Sequence, residues 1–366
     1  MSKATTVDPF ANFDLKAQAD EARKPTVRFA FEFPELLELF RTIDHEAGVA
    51  RERTRTLGFL SVALVLGALL LASAAPLFRS MEIDHQIEAF PTWLALIAGG
   101  LGLIGAVLGL SSLHKSSARR KWLQCRLQTE TLRLFHFHYI AARLPEIASV
   151  NGDDGRLQAY LAERQAAFEN LRTGVIAKPE AELADILGRT HGAAFDSLIE
   201  SLPAKPGAPE PAADDVFVVW RKLRLDWQLG YCEAKLAHRS KGKATPRQLE
   251  ERFAAMAWTC IAIVIGLHVL HMAEPILHIP GEWLEVGVVW TALIALAGRA
   301  MEDGLQPQRD VERYEQYRAN ILVARERFDG AQSFMEKLEV VRSFERGGLE
   351  EMRIFMRTHA RARFLL

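Results

Sequence analysis

The stretch LGFLSVALVLGALLLASAAPLF, residues 57–78, contains no charged side chain and decides the class of protein. Its length of about 22 residues matches the roughly 20 helical residues that cross the hydrocarbon core of a bilayer. A backbone inside lipid has no water to bond and must satisfy its own hydrogen bonds. The stretch is therefore predicted to be a transmembrane helix.

Three more apolar segments follow along the chain. Span two is predicted over residues 90–113, with Trp93 near its interface, and span three over residues 253–273. Span four, residues 281–298, is the most polar, because Glu282 and Glu285 lie near its start. The sequence predicts an all-α membrane protein with four transmembrane helices, arranged as two tandem two-span hairpins with long cytosolic helices.

Charge is distributed unevenly around these spans, although the whole chain has 45 Lys and Arg against 46 Asp and Glu. Basic clusters precede spans one and three and follow spans two and four, whereas the short loops inside each pair are mainly acidic. Lys and Arg accumulate on the cytoplasmic side of membrane proteins. We therefore expect a multi-pass protein of the bacterial inner membrane with its N- and C-termini in the cytoplasm.

An internal repeat organises the chain. A shift of about 192 residues places Lys121-Trp122 and Arg126 on Arg313-Tyr314 and Arg318, just after each pair of spans. Coincidence between helices rich in Arg and Glu is the alternative explanation. The repeat predicts these parts: a flexible N-terminus, 1–33; a first helix, hairpin and helix unit, 34–150; a cytosolic helical connector, 151–214, with a Pro-rich linker, 203–213; a second unit, 215–346; and a basic helix, 347–366.

Apolar residues spaced three and four apart predict helices in the segments outside the spans. One such helix is expected over residues 308–364, with a break at Gly347-Gly348. No alternating pattern typical of a strand is present.

The first hairpin and the helix that follows it resemble the SLATT superfamily of prokaryotic membrane proteins. The resemblance covers roughly residues 37–143, and more faintly 226–328. In the first copy it depends on four residues: Trp122, Arg126, Glu130 and Arg133. The second copy has Tyr314, Arg318 and Arg325, but Leu322 stands where Glu130 would map.

The resemblance implies a membrane effector of nucleotide-signalling anti-phage systems, including those of the Hailong type. Such effectors perforate or depolarise the inner membrane in abortive infection, often beside a nucleotidyltransferase that makes a nucleotide or oligonucleotide signal. We expect a pore-forming or ion-conducting homo-oligomer, with a tetramer as the expected size, in contact with membrane lipid. The alternative is a non-conducting scaffold that anchors a cytosolic helical assembly.

Three groups of residues are candidates for these functions. Small residues on one face of span two favour close helix packing, within or between subunits. Acidic residues at the start of span four, with a threonine further along, could form a cation-selective path, and acidic anchoring among lipid headgroups is the alternative. Basic residues after spans two and four could bind an anionic signal. The groups are, in order: Gly102, Gly105 and Gly109; Glu282, Glu285 and Thr291; Arg119, Arg120, Arg126, Arg313 and Arg318.

The sequence contains no recognised catalytic motif. A Walker loop, a dinucleotide fingerprint, HExxH and GxSxG are all missing, and the three cysteines form no CxxC pair. His268, His271 and Glu274 are spaced like a ladder of metal ligands, but histidines bonded to backbone carbonyls are the favoured explanation. We expect no enzyme activity, cofactor or metal.

Overall fold

The computed structural model describes residues 26–75, 77, 90–111, 118–150, 153–188, 212–238, 244–277, 280–362 and 364. These residues form helices and short connections, and none of them lies in a strand. The expected all-α class is confirmed. The chain forms two compact units, which we call the helical body (1–49, 121–245 and 309–360) and the span unit (50–120, 246–308 and 361–366).

Three of the long helices have residues in both units. The described residues form thirteen α-helices and two π-helical turns. In chain order these are α1 Arg28–Phe31, α2 Pro34–Ser73, α3 Phe90–Ser111, α4 Ala118–Ser149, α5 Asp154–Leu171, a π-helical turn Arg172–Ile176, α6 Pro179–Gly188, α7 Ala212–Trp220, a second π-helical turn Arg221–Asp226, α8 Trp227–Leu236, α9 Pro246–Met272, α10 Glu274–Leu277, α11 Gly281–Leu305, α12 Pro307–Gly330 and α13 Phe334–Ala360.

The helical body has one hydrophobic core, to which all three of its chain segments contribute. Phe40 comes from the first segment, Phe135 and Trp220 from the second, and Val341 from the third, and none of these side chains is accessible to solvent. Large aromatic side chains contribute most of the area that such a core removes from water. The three segments are therefore held together as one folded unit.

A buried ion pair lies inside this core. Arg224 and Glu345 are 1% and 0% exposed, with Nη2 and Oε2 2.8 Å apart. The Trp220 indole N–H also donates to Glu345, at 2.9 Å, and the Arg224 guanidinium lies 4.5 Å from the centre of the Phe137 ring. Each charge removed from water thus keeps a charged partner, which the interior requires.

The span unit contains the apolar parts of four helices long enough to cross a membrane, confirming the expected number of candidate spans. The helices or helical runs that hold them are Arg28–Ser73, Trp93–Leu110, Pro246–Met272 and Gly281–Gly330. Helix α2 ends at Ser73, and Ala75 and Leu77 are again helical after a turn at Ala74. The predicted end of span one, residue 78, lies outside the described residues. The predicted end of span four, residue 298, lies inside helix α11, which continues to Leu305.

Spans one and two approach each other through the small residues of span two. The Ser61 hydroxyl donates to the Gly105 carbonyl at 2.8 Å. A Cβ on Gly105 would lie 2.8 Å from Val65 Cγ2, and one on Gly109 would lie 2.9 Å from Ser61 Oγ. Gly102 is less crowded, with Ala68 Cβ 3.5 Å away. The glycine face of span two therefore packs against a helix of the same chain.

The break predicted at Gly347-Gly348 is wrong. Helix α13 runs through both glycines, and the break lies instead between Gly330 and Phe334. A Cβ on Gly348 would lie 3.0 Å from Leu134, so the glycine allows a close approach inside the helix. The restart of the helix is fixed by a capping box, in which Ser333 Oγ accepts from the Glu336 N–H at 3.2 Å and Glu336 accepts from the Ser333 N–H at 3.1 Å.

Several predicted segments fall largely outside the described residues. These are most of the flexible N-terminus, the Pro-rich linker over 203–211, and the acidic loop between spans one and two. The boundaries of the two compact units separate the apolar spans from the charged helices, and they do not coincide with the predicted boundaries of the repeat.

The buried ion pair gives the first prediction. Replacing Glu345 by Gln removes the ion-pair partner of the buried Arg224 charge, which should destabilise the helical body by about 3–5 kcal/mol. Thermal unfolding of the detergent-solubilised protein measures the loss. The control is Glu169→Gln, because Glu169 and its partner Arg172, 3.0 Å apart, are 38% and 55% exposed; such exposed pairs contribute about 0–1 kcal/mol. Equal shifts for the two variants would contradict the structural role of the pair.

Candidate anion-binding cavity

Four helices of the helical body line a small, partly open cavity of about 20 Å³, which is room for about one water molecule. Helix α4 supplies Arg126, Glu130 and Arg133. These residues are spaced four and three apart, so they lie on one face of the helix. The other lining residues come from α8, α12 and α13: Gln228, Tyr231, Arg313, Tyr314, Tyr317, Glu351, Met352 and Phe355. We call this the arginine cavity, because its three arginines outnumber its two glutamates.

Glu130 is paired with two arginines of its own helix. Its carboxylate contacts Arg126 through one oxygen and Arg133 through the other, and its side chain is 5% exposed. Burial alone would raise the pKa of Glu130, but the positive charges of Arg126 and Arg133 lower it below its ordinary value. The stability from this pairing is present above the unfolded pKa of a glutamate and is lost as pH falls through the lower folded pKa.

Arg313, on α12, lines the cavity opposite α4. Its Nη1 lies 2.5 Å from Glu351 and its Nη2 3.3 Å from Asp310. Burial opposes its charge, yet the surrounding negative charges raise its pKa, so it stays cationic. The His359 Nε2 also approaches Asp310, at 3.2 Å. This network fixes the guanidinium at the edge of the cavity.

Phe355 of α13 lies between the two walls. The Arg126 and Arg313 guanidinium carbons are 5.7 and 4.8 Å from the centre of its ring. Trp122 packs edge-on against the same ring, at 6.1 Å between centroids. One aromatic side chain of α13 therefore positions arginines that are far apart in sequence.

Two tyrosines from α8 and α12 complete the lining. The hydroxyls of Tyr231 and Tyr314 are 3.4 Å apart, and burial and Tyr314 raise the pKa of Tyr231 well above its ordinary value. The Tyr231 phenol therefore remains protonated at physiological pH and can donate a hydrogen bond. A small cavity lined by three arginines, two glutamates, a phenol donor and an aromatic ring is chemically suited to a phosphate group or another small anionic group.

Only part of the predicted basic group meets here. The structure brings Arg126 and Arg313 together, whereas Arg318 is 44% exposed and pairs with Glu233 at 3.9 Å. Arg119 and Arg120 belong to the span unit. Sequence reasoning missed Tyr231, Tyr317, Glu351 and Phe355, which lie on different helices and have no local motif; the regular spacing of Glu351 and Phe355 on α13 was the one available signal.

The residues proposed to line an ion path have simple local environments. Glu282 and Glu285 are exposed. Thr291 is buried, and its hydroxyl donates to the Gly287 carbonyl at 2.8 Å. The selectivity role of these residues stays a prediction.

The histidines of span three have partners close to them in the same segment of the chain. His268 Nδ1 lies 2.8 Å from the Val264 carbonyl oxygen, and His271 Nδ1 lies 3.2 Å from Glu274. Across the described residues, no group of three or more His, Cys, Asp or Glu side chains could hold a metal ion.

The arginine cavity gives the second prediction. Arg126→Gln should weaken binding of a fluorescent nucleoside triphosphate to the purified protein by about tenfold or more, because a charged hydrogen bond contributes roughly 1.5–3 kcal/mol. Arg318→Gln removes the same charge from an exposed position and should leave affinity nearly unchanged. Fluorescence anisotropy measures both affinities. Equal losses would indicate general charge attraction rather than a site.

Comparison with known proteins identifies no relative of this chain, which matches no family model, no curated protein and no solved structure.

Proposed function

We propose that this chain is an ion-conducting membrane effector of a bacterial anti-phage system, regulated by an anionic nucleotide signal bound in the arginine cavity. The observation that carries the proposal is the presence, in one chain, of four candidate spans and a small, partly open cavity lined by more arginines than glutamates. The resemblance to SLATT proteins supports the anti-phage assignment. Its four marker residues on α4 all lie at the cavity or pack against Phe355.

The membrane topology is supported by the composition of the body's core. Three chain segments share this core, and two candidate spans separate each segment from the next. A chain that crosses a bilayer twice returns to the side it left. Two tandem two-span hairpins satisfy this requirement, and the flanking Lys and Arg residues favour the cytoplasmic side for the helical body.

In each copy, an ion pair joins a helix before the hairpin to the helix after it, which supports the proposed duplication at the level of the helices. Glu46, before the first hairpin, pairs with Lys121 after it, at 2.8 Å. Glu233, before the second hairpin, pairs with Arg318 after it, at 3.9 Å. The two basic partners do not occupy equivalent positions of the repeat, because Lys121 maps onto Arg313. Such exposed pairs contribute little stability, and their value is geometric: in both copies a helix that precedes the hairpin lies beside the helix that follows it.

Flux through the purified protein in liposomes tests the function. We expect potassium flux above that of empty liposomes, and a lower preference for cations over anions in Glu282→Gln/Glu285→Gln, since two exposed carboxylates per subunit are lost. The control is Glu38→Gln/Glu339→Gln, which removes the same charge from exposed positions of the helical body.

The outcomes separate the proposal from its alternative. No flux from the wild-type protein, with or without added nucleotides, would favour the non-conducting scaffold. Flux whose reversal potential is the same in both double variants would support conduction and contradict the selectivity role of Glu282 and Glu285.

A further inference from the structure

The span unit contains one aromatic side chain from far beyond the last span. Phe364 is 7% exposed and packs in a small core with Val62 of span one and Ala297 and Ala300 of span four. Its ring also lies 6.1 Å from that of Phe59. The side chain is therefore enclosed by the ends of two spans that are separated by more than two hundred residues in sequence.

Two glycines make the space for this ring. A Cβ on Gly58 would lie 2.5 Å from Cγ and Cδ2 of Phe364, and a Cβ on Gly304 would overlap the other edge of the ring. Protein interiors are close-packed, so any larger residue at either position would displace the ring. Gly67, also in span one, shows the contrast, since nothing lies within 4 Å of the corresponding position. We call the space between Gly58 and Gly304 the phenyl socket.

The chain connects this socket directly to the helix that lines the arginine cavity. Helix α13 carries Glu351, Met352 and Phe355 of the cavity and ends at Ala360. Only three residues separate Ala360 from Phe364. A movement of α13 caused by a ligand in the cavity would thus act on a side chain that holds two spans together.

We propose that Phe364 is the gating residue of this protein: its ring, held in the phenyl socket, joins the ends of spans one and four in the resting state and leaves the socket in the conducting state. This inference rests on the proposed function, and it assigns the regulation to one side chain. The ring contacts Gly58 at one edge and Gly304 at the other. These contacts are non-covalent, so the ring can leave the socket reversibly.

A disulfide across the socket tests the proposal. Because Gly58 Cβ would lie 2.5 Å from Phe364 Cγ, the Cβ atoms of Gly58→Cys and Phe364→Cys lie within about 4 Å, as a disulfide requires. The native cysteines Cys125, Cys232 and Cys260 are buried and unpaired. Limited proteolysis and non-reducing electrophoresis should show the two chain ends joined after oxidation, and Gly67→Cys/Phe364→Cys should not cross-link.

The same liposomes then report gating. We expect the oxidised Gly58→Cys/Phe364→Cys protein to conduct about tenfold less than the same protein after reduction. Phe364→Ala should raise basal flux about tenfold over wild type, since a shift of 1.4 kcal/mol changes a two-state ratio tenfold.

A double variant separates displacement of the ring from general damage. Gly304→Val should raise flux as Phe364→Ala does, because it excludes the ring, and should add nothing when Phe364 is already Ala. Gly67→Val is the matched control and should conduct like wild type. Additive effects, or equal flux from the oxidised and reduced disulfide variant while wild type conducts, would overturn the gating role alone. No flux from wild type with or without added nucleotides, together with none from Phe364→Ala, would overturn the proposed function.

Discussion

The constraint on which the rest of this structure depends is the hydrogen bonding of the backbone inside a bilayer. Apolar segments can cross lipid only as helices, and the charged segments between them are excluded from it. Those segments are themselves helices, and they bury apolar side chains against each other around α4, which is buried on nearly all sides. As a result, three segments that are separated in sequence share one core. Because the proposed spans lie between these segments, the fold of the helical body depends on an even number of membrane crossings between one segment and the next.

Charge is used inside the helical body as well as on its surface. Arg224 with Glu345, Glu130 with Arg126 and Arg133, and Arg313 with Glu351 all lie at positions that are mostly buried. Buried pairs gain little net stability over apolar packing, because both charges lose water. The pairs around Glu130 and Arg313 have a second consequence: they hold arginines at fixed positions around a cavity, where a ligand of higher negative charge could compete with the glutamates.

The fold was predictable where composition alone decides it. Absence of charge over residues 57–78 is sufficient to predict a span, and the same criterion found spans two and three; span four was predicted although Glu282 and Glu285 lie near its start. The helix break was misplaced, since the pair Gly347-Gly348 was given more weight than Ser333 and Glu336, whose capping box stops and restarts the helix. The cavity was predicted only through Arg126 and Arg313. Its partners on α8 and α13 are brought near by tertiary packing, which a single sequence does not record.

The proposed topology is tested most directly by labelling single cysteines with a membrane-impermeant maleimide. Gly48, Gly174 and Gly330 belong to the three segments of the helical body and have nothing within 4 Å of a substituted Cβ; Glu282 is exposed at the start of span four. The account predicts that Glu282→Cys reacts in intact spheroplasts, while Gly48→Cys, Gly174→Cys and Gly330→Cys react only in inverted vesicles. Reaction of any of these three in intact spheroplasts would contradict a helical body built on one side of the membrane.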